Sequence, residues 1–319
     1  MVRLRRWLRR LAIALLALVV ALTLASLAYN AVSGSGDRPA QSLYPGPYVR
    51  VDGRLIAYRS WGTHGTPIVL LGGFVEPAWV WHEVGPLLGR GHRVVALDLP
   101  PFGYSERRGP YTLASWVALV HDAARQLRLA RPLVVGHSLG AAVAVGDALA
   151  HPKALSGIVL LDGDAIAAGG GARWLARLLV PPYFTSIWRI ATGSDWIFRR
   201  ALRNAWGPSP PHFDAAALAE WKRPLRVDGT AQAFRSMARY GIQGFRLADL
   251  RGVRVPRTVV WGADDTVDGI GAGRRSAAAL RARFIVIPRA GHLSMLAQPR
   301  ATAAQILAVI RGVEARRSR

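Results

Sequence analysis

The chain of 319 residues contains no cysteine, and its only lysines are Lys153 and Lys222. The absence of cysteine excludes disulfide bonds and thiolate chemistry. Acidic residues are also few, 19 against 42 basic ones, which gives a formal net charge of +23. A charge of this size is typical of proteins that bind nucleic acid or anionic membranes. The arginines are nevertheless spread along the globular part without a basic block, so we expect no nucleic-acid partner.

Motifs for cofactors are missing as well. The sequence contains no cluster with metal-ligand spacing, no Walker loop and no dinucleotide-binding fingerprint. We therefore expect neither a metal nor an organic cofactor. The length permits one large α/β domain with an insertion, or two modest domains.

A long apolar run lies close to the N-terminus. The basic stretch MVRLRRWLRR precedes the apolar residues 11–29. A membrane core requires about 20 helical residues, whereas the apolar part of a cleaved signal peptide has about 7–15. Residues 1–30 are therefore predicted to be a single-pass signal anchor in the cell membrane, with the domain on the extracytoplasmic side. The alternative is cleavage after the small residues 26–28, which would release a secreted domain.

The remainder of the chain has the organisation of an α/β domain. Residues 31–47 are rich in Gly, Ser and Pro and are predicted to be a flexible tether. After a hairpin predicted at Asp52–Gly53, buried-strand patterns alternate with helical ones, which predicts a doubly wound, mostly parallel sheet. The alternation stops in residues 164–250. We interpret this segment as a helical cap inserted between two parts of one core, residues 48–163 and 251–319.

A serine stands at one predicted junction of strand and helix. In the pentapeptide GHSLG, Gly136 and Gly140 flank Ser138 at minus two and plus two. Small residues at these positions permit a sharp turn that raises the hydroxyl above the carboxyl end of the sheet, near the N-terminus of the following helix. The pattern indicates a nucleophile. The alternative is that Ser138 only caps the helix.

A serine nucleophile needs a base, and the base needs an acid that orients it. The stretch WGADD places Asp264 and Asp265 directly after a predicted strand, and RAGH places His292 shortly after the next one. The carboxyl ends of parallel strands meet at one edge of the sheet. We therefore expect an acid, His292 and Ser138 to lie close together.

These motifs resemble the α/β-hydrolase superfamily, in particular its cap-bearing branch of serine esterases, lipases and carbon–carbon bond hydrolases. The resemblance covers residue 48 onward and is weakest in the insertion, which corresponds to the variable cap. It implies an eight-stranded α/β-hydrolase fold. It also implies that Ser138 is the nucleophile, that His292 is the base, and that Asp265, at the matching position of G-x-x-D, orients His292. The acids that remain as alternatives are Asp162, Asp164 and Asp264.

The resemblance also indicates which backbone groups stabilise the negative oxygen of the intermediate. Leu139 N–H follows the nucleophile, and Phe74 N–H comes from the loop Gly72-Gly73-Phe74, where related sequences have H-G-x. Gly72 removes a side chain that helps to fix this loop, which predicts a slower enzyme. Asp98, in the stretch DLPPFGYS, is expected to be structural.

We expect ester hydrolysis through an acyl-enzyme. Phe74, Trp79 and Trp81 are predicted near the mouth of the site, which favours a small apolar or aromatic ester, or a lipid that arrives from the membrane. The same triad could serve an acyltransferase, a haloperoxidase or a carbon–carbon bond hydrolase, and a hydrolase-like binding protein without turnover is a further alternative. Carbon–carbon bond hydrolysis would require a polar pocket, for which the candidates are Arg173, Arg177, Arg189, Arg199 and Arg200.

Overall fold

The computed structural model describes residues 2–34, 36–167, 180–208, 214–241 and 243–317. One eight-stranded sheet runs through this part of the chain in the order β1-β2-β4-β3-β5-β6-β7-β8. The strands are β1 (Tyr48–Val51), β2 (Arg54–Trp61), β3 (Ile68–Leu71), β4 (Val94–Leu97), β5 (Leu133–His137), β6 (Gly157–Leu161), β7 (Arg257–Gly262) and β8 (Arg283–Ile287). β1 and β2 are antiparallel to their neighbours, and β3 to β8 pair in parallel. The predicted fold class is confirmed.

Helices cover both faces of this sheet. The α-helices are α1 (Val2–Ser33), α2 (Ala40–Leu43), α3 (Val84–Gly89), α4 (Leu113–Gln126), α5 (Leu139–Ala150), α6 (Tyr183–Gly193), α7 (Asp195–Trp206), α8 (Ala215–Lys222), α9 (Thr230–Ala238), α10 (Ile270–Leu280), α11 (Ser294–Ala297) and α12 (Pro299–Arg317). Short 3₁₀ turns occupy Ala78–Trp81, Pro152–Ala154, Arg223–Arg226 and Asp249–Gly252.

The side chains of the central strands alternate between two apolar layers. In β3, Val69 and Leu71 pack in one buried cluster, and Ile68 and Leu70 pack in another on the opposite face. All four are fully buried. This two-sided burial explains why the central strands are continuous apolar runs.

Two helical segments have bounds that Pro86 and Gly312 help to explain. The helical pattern over residues 79–88 divides into the turn Ala78–Trp81 and α3, because a continuous helix would place Pro86 in its interior. The last helix, α12, continues through Gly312 to Arg317. Val313 is buried, so apolar packing outweighs the helix-breaking tendency of Gly312, about 1 kcal/mol.

The helices α6 to α9, which we call the inserted helices, follow β6 and precede β7. They pack on the sheet through Leu202, Trp206 and Trp221. These side chains belong to the apolar cluster that contains Ile68 and Leu70 of β3. On the other side of the site, the Phe234 ring lies 5.6 Å from Phe102. These contacts place the inserted helices over the edge of the sheet where Ser138 stands.

The N-terminal helix α1 is different in character. Among the described helices it is the one long and apolar enough to cross a membrane, over Arg3–Ser33. Its leucines are exposed, Leu15 at 60% and Leu16 at 64%. An exposed apolar helix of this length near the N-terminus fits a membrane anchor or a signal sequence.

Candidate active site

Ser138 lies at the turn between β5 and α5. Its φ is +50°, a left-handed value that residues other than glycine rarely adopt. A Cβ on Gly136 would lie 2.1 Å from Gly140 O, so the strand and the helix approach too closely for a side chain. The Ser138 side chain accepts no hydrogen bond from the first turn of α5. The helix-cap interpretation therefore lacks its characteristic bond.

Asp265 and His292 meet beside this turn, on the loops that follow β7 and β8. Asp265 Oδ2 lies 2.9 Å from His292 Nδ1, and both residues are buried. Asp265 Oδ1 accepts the backbone N–H groups of Val267 and Asp268 at 2.8 and 3.0 Å. A carboxylate held in this way accepts the Nδ1 proton of His292 and leaves Nε2 to act as a base. His292 and Ser138 line the same cavity.

The three alternative acids have other positions. Asp264 is exposed, and Asp164 lies in the cavity wall. Asp162 is fully buried and accepts hydrogen bonds from Gly262 N at 2.6 Å and from the Ser294 hydroxyl. Burial raises the pKa of Asp162 to about 6. Asp162 thus ties the end of β7 to the segment that follows His292, whereas Asp265 contacts the imidazole.

The loop after β3 lies directly against the serine. A Cβ on Gly73 would come within 2.8 Å of Ser138 Cβ. Phe74 and Leu139, whose N–H groups are the predicted donors, both line the cavity beside Ser138. The structure therefore brings together the two segments from which an oxyanion hole would be built.

A buried carboxylate fixes this loop. Gly73 N donates to Glu76 Oε2 at 2.6 Å, and Glu76 is 6% exposed. A Cβ on Gly72 would lie 3.0 Å from Glu76 Cβ. Glu76 therefore stands where a side chain at position 72 would begin, and it supplies the fixation that glycine cannot. Sequence reasoning missed Glu76 because it considered only the first three residues of the loop.

His137 connects Glu76 with the loop that carries His292. Its Nδ1 lies 2.8 Å from Glu76 Oε2, and its Nε2 lies 2.7 Å from His292 O. Burial opposes the charge on the imidazole, but the Glu76 carboxylate outweighs burial and raises the pKa of His137 to about 9. The protonated ring donates from both nitrogens. A buried ion pair thus joins the loop after β3, the turn at Ser138 and the backbone of His292.

Asp98 is a structural acid, as predicted. It is buried and accepts Ala78 N at 2.5 Å and Tyr104 N at 2.7 Å. Burial raises the pKa of Asp98 to about 6. These bonds connect the turn that begins at Ala78 to the loop after β4.

Ser138 and His292 face a cavity of about 610 Å³, a size suited to a small organic ligand. The sheet side contributes Phe74, Leu139, Ala142 and Leu293. The inserted helices contribute Ile197, Phe198, Ala201, Leu202, Ala205 and Trp221. The described part of the lining holds the acids Glu76, Asp164 and Asp268 but neither arginine nor lysine. Such a wall favours an apolar ligand over an anionic one.

The predicted aromatic mouth is partly wrong. Phe74 lines the cavity, but Trp79 and Trp81 do not. Trp81 is fully buried in the apolar cluster under the sheet, and Trp79 stacks on His82 at 4.1 Å. The 3₁₀ turn Ala78–Trp81, which follows the loop after β3, directs these side chains away from the cavity.

The arginines considered for a polar pocket do not form one in the described residues. Arg189, Arg199 and Arg200 are absent from the lining of the cavity. Arg173 and Arg177 lie outside the described residues.

The sequence shows no cluster with metal-ligand spacing, but the fold brings one group of possible metal ligands together. His121 on α4 and Asp147 and His151 at the end of α5 place ligand atoms within 4.8 Å of one another. The two imidazole rings stack at 3.7 Å and 18°. One ion cannot lie in the planes of both stacked rings, so this arrangement does not suit coordination. The group lies at the end of α5 remote from Ser138.

The fold, the turn at Ser138 and the buried Asp–His pair define an α/β-hydrolase architecture. The sequence profile of the alpha/beta hydrolase family matches residues 64–305. The chain belongs to this family and is a hydrolase.

Among curated relatives, the uncharacterized hydrolase YugF of Bacillus subtilis is 25% identical over 228 residues, which cover 70% of this chain and 82% of YugF. The acetyltransferase component of an acetoin cleaving system of Pseudomonas putida is 28% identical over 296 residues, which cover 88% of this chain and 73% of that protein. These relatives differ in their described reactions, so the family alone does not define the substrate.

Solved structures share the fold. A membrane phospholipase A described as a bacterial virulence factor has a TM-score of 0.69 and 22% identity, with 97% of this chain and 99% of that chain covered. An esterase of Thermogutta terrifontis has a TM-score of 0.71 and 22% identity, with coverage of 84% and 99%. At this identity the likeness concerns the fold alone.

Proposed function

We propose that the chain is a membrane-anchored serine hydrolase that cleaves esters with apolar acyl or aromatic groups. In this proposal Ser138 is the nucleophile, His292 is the general base and Asp265 orients His292. The observation that carries it is the cavity of about 610 Å³, in which Ser138 and His292 face an apolar wall.

The reaction would proceed in two halves. His292 Nε2 accepts the hydroxyl proton while Ser138 Oγ attacks the ester carbonyl carbon, and Phe74 N–H and Leu139 N–H stabilise the oxyanion. The protonated imidazole then donates its proton to the alkoxy oxygen, the C–O bond breaks, and the alcohol leaves an acyl-enzyme. His292 then deprotonates a water that attacks the acyl carbon, the bond from this carbon to Ser138 Oγ breaks, and the imidazolium returns its proton to Ser138 Oγ as the carboxylic acid leaves.

Other reactions of the same triad differ in the acceptor or in the bond cleaved. Acyl transfer and haloperoxidation would need another acceptor in place of water. Carbon–carbon bond hydrolysis of a dienol acid would need a partner for the substrate carboxylate, and the described cavity wall carries acids but neither arginine nor lysine. Ester hydrolysis therefore fits the wall best.

We further propose that α1 is a retained anchor, with the catalytic part on the extracytoplasmic side. The helix is long enough to span a bilayer, and five arginines precede its apolar part. N-terminal sequencing of the membrane fraction tests this: an intact N-terminus supports the anchor, and a mature end near Tyr29 supports secretion.

The function is tested with p-nitrophenyl esters of increasing acyl length and the full chain in detergent micelles. We expect the wild type to prefer apolar acyl groups and Ser138→Ala to lose about 10⁶-fold in kcat. Ser60→Ala, at an exposed serine of β2, is the matched control. A folded wild type without turnover would instead favour a binding protein.

A further inference from the structure

The last third of the apolar helix α1 carries the polar side chains of Thr23, Ser26 and Asn30, followed by Ser33 at its end. Their spacing of three and four residues places them on one face of the helix. Polar groups on a membrane-spanning helix need partners within the protein, because the lipid core offers none.

Helix α6 and the residue before it provide these partners. The hydrogen-bonded pairs are Thr23 Oγ1 with Tyr183 Oη at 2.5 Å, Ser26 Oγ with Ser186 Oγ at 2.6 Å, and Asn30 Nδ2 with Pro182 O at 3.0 Å. Ser26 is 8% exposed, although its neighbours along α1 are exposed. The polar face of α1 is thus covered by α6.

We propose that α6 is embedded in the outer leaflet of the membrane, beside α1, and forms a lipid-contacting surface of the enzyme. The inference rests on the proposed function, in which α1 spans the bilayer. The seven helical steps from Thr23 to Asn30 correspond to about 10 Å of helix at the outer end of the span. Tyr183 Oη reaches the level of Thr23, whereas Pro182 O lies at the level of Asn30, so the start of α6 lies within this outer part of the span.

The hydrogen bonds of α6 with α1 fall in the last third of α1, and both ends of α6 reach Asn30, through Pro182 O and through Arg189. Tyr183 pairs with Thr23, whereas Arg189 Nη1 donates to Asn30 O at 2.5 Å and to Ser33 Oγ at 2.9 Å. Arg189 therefore lies where α1 leaves the apolar core, at the level of the lipid headgroups. A cation at this level suits the phosphate groups there.

The face of α6 beside α1 is apolar and exposed. Ile187 is 59% exposed and Ile190 is 54% exposed. They lie four and seven residues after Tyr183, so they share its side of the helix. Exposed isoleucines next to a membrane span are more stable in contact with lipid acyl chains than in contact with water.

This surface continues to the cavity. On α7, the next helix, Trp196 is 69% exposed, and Ile197 is 38% exposed and also lines the cavity of Ser138. A lipid ester could therefore slide its acyl chain from the leaflet to the serine along apolar side chains. The expected substrate class is a lipid ester within the bilayer.

The absence of cysteine from the chain permits a direct depth measurement. Full-length Ile187→Cys and Ile190→Cys proteins are labelled with a nitrobenzoxadiazole probe and placed in phosphatidylcholine nanodiscs. Lys153→Cys is the control, because Lys153 is exposed just beyond the end of α5 remote from Ser138. We expect a doxyl group on the acyl chains to quench the probes at 187 and 190 but not at 153, and aqueous iodide to do the opposite.

Quenching of the probes at 187 and 190 by iodide, as at 153, would overturn the proposal. Protection from both quenchers would also overturn it, since this would indicate cover by a second copy of the chain. The readout does not require turnover, so it is independent of the proposed chemistry.

A second measurement uses Ile187→Glu, with Lys153→Glu as the control. We expect hydrolysis of a long-chain ester in phosphatidylcholine vesicles to fall by about tenfold, because a carboxylate disfavours insertion. Hydrolysis of a short soluble ester should stay unchanged. Unchanged hydrolysis of the vesicle substrate would contradict the inference, whereas a wild type inactive on the soluble ester would contradict the proposed function.

Discussion

The two walls of the cavity are held in different ways. On the sheet side, the buried carboxylates of Glu76, Asp98 and Asp162 accept backbone N–H groups from the loops around Ser138. On the opposite side the wall consists of apolar side chains of the inserted helices, which form polar bonds from α6 to α1 and from the end of α7 to the loop of His292, where Gly291 N and Leu293 N donate to Trp206 O and Ala205 O. The loops around Ser138 are thus held mainly by buried carboxylates, and the opposite wall is held mainly by apolar packing, with polar bonds to α1 and to the loop of His292. Substitutions on the sheet side should change kcat, and substitutions in the inserted helices should change how readily the substrate enters the cavity.

The largest effect on the sheet side is expected for Asp265→Asn. The amide would not hold His292 in the tautomer with a free Nε2, and kcat should fall by about 10⁴-fold with little change in KM. Asp264→Asn, at the exposed neighbour, is the control and should stay near the wild type. Steady-state kinetics on a soluble ester measure both. An equal loss in the two variants would remove the distinction between these acids.

The ion pair of His137 and Glu76 should make stability depend on pH. The pKa of His137 is raised from 6.5 to about 9 in the folded state, so its contribution is fully present below pH 6.5 and is lost as the pH rises through about 9. The loss should be on the order of 3 kcal/mol. Urea unfolding of the full chain in detergent, beside a Glu76→Gln/His137→Asn double variant, measures it. A constant difference between the two proteins across this range would show that His137 is neutral.

Glu76→Gln should lower turnover less than Asp265→Asn. Loss of a whole oxyanion donor costs about 10²–10³-fold in kcat, and a loosened loop should cost roughly tenfold. Glu83→Gln, at a half-exposed carboxylate nearby, is the control. If KM rises and kcat does not, Glu76 acts on the shape of the cavity and not on the oxyanion loop.

The smallest effect is expected at the anchor. Ser26→Ala removes one hydrogen bond between α1 and α6. The free energy of unfolding of the inserted helices in nanodiscs should therefore fall by about 0.6 kcal/mol. Ala25→Ser, on the exposed side of α1, is the control. An equal response of both variants would mean that α6 is held without the polar face of α1.

The sheet side was largely predictable, because local patterns determine it. The alternating strands, the hairpin at Asp52–Gly53 and the glycine-flanked Ser138 are all short-range features, and they lead to the observed fold and to the convergence of Ser138, Asp265 and His292. The catalytic roles of these residues remain predictions.

Contacts between distant segments were not predictable. Glu76 and His137 are 61 residues apart, and α1 and α6 meet across about 160 residues. Neither pair leaves a periodic pattern in the sequence. Trp79 and Trp81 are predicted near the mouth of the cavity because they are close to Phe74 in sequence. In the structure the turn at Ala78–Trp81 instead brings Trp81 into the core and Trp79 against His82.

In the proposed function, Ser138 is an activated nucleophile. The most direct test of this role is labelling of the full chain with a fluorophosphonate, followed by peptide mass spectrometry to locate the adduct. We expect one adduct at Ser138, which forms far more slowly in Asp265→Asn. A folded protein without an adduct, or with an adduct at another serine, would contradict it.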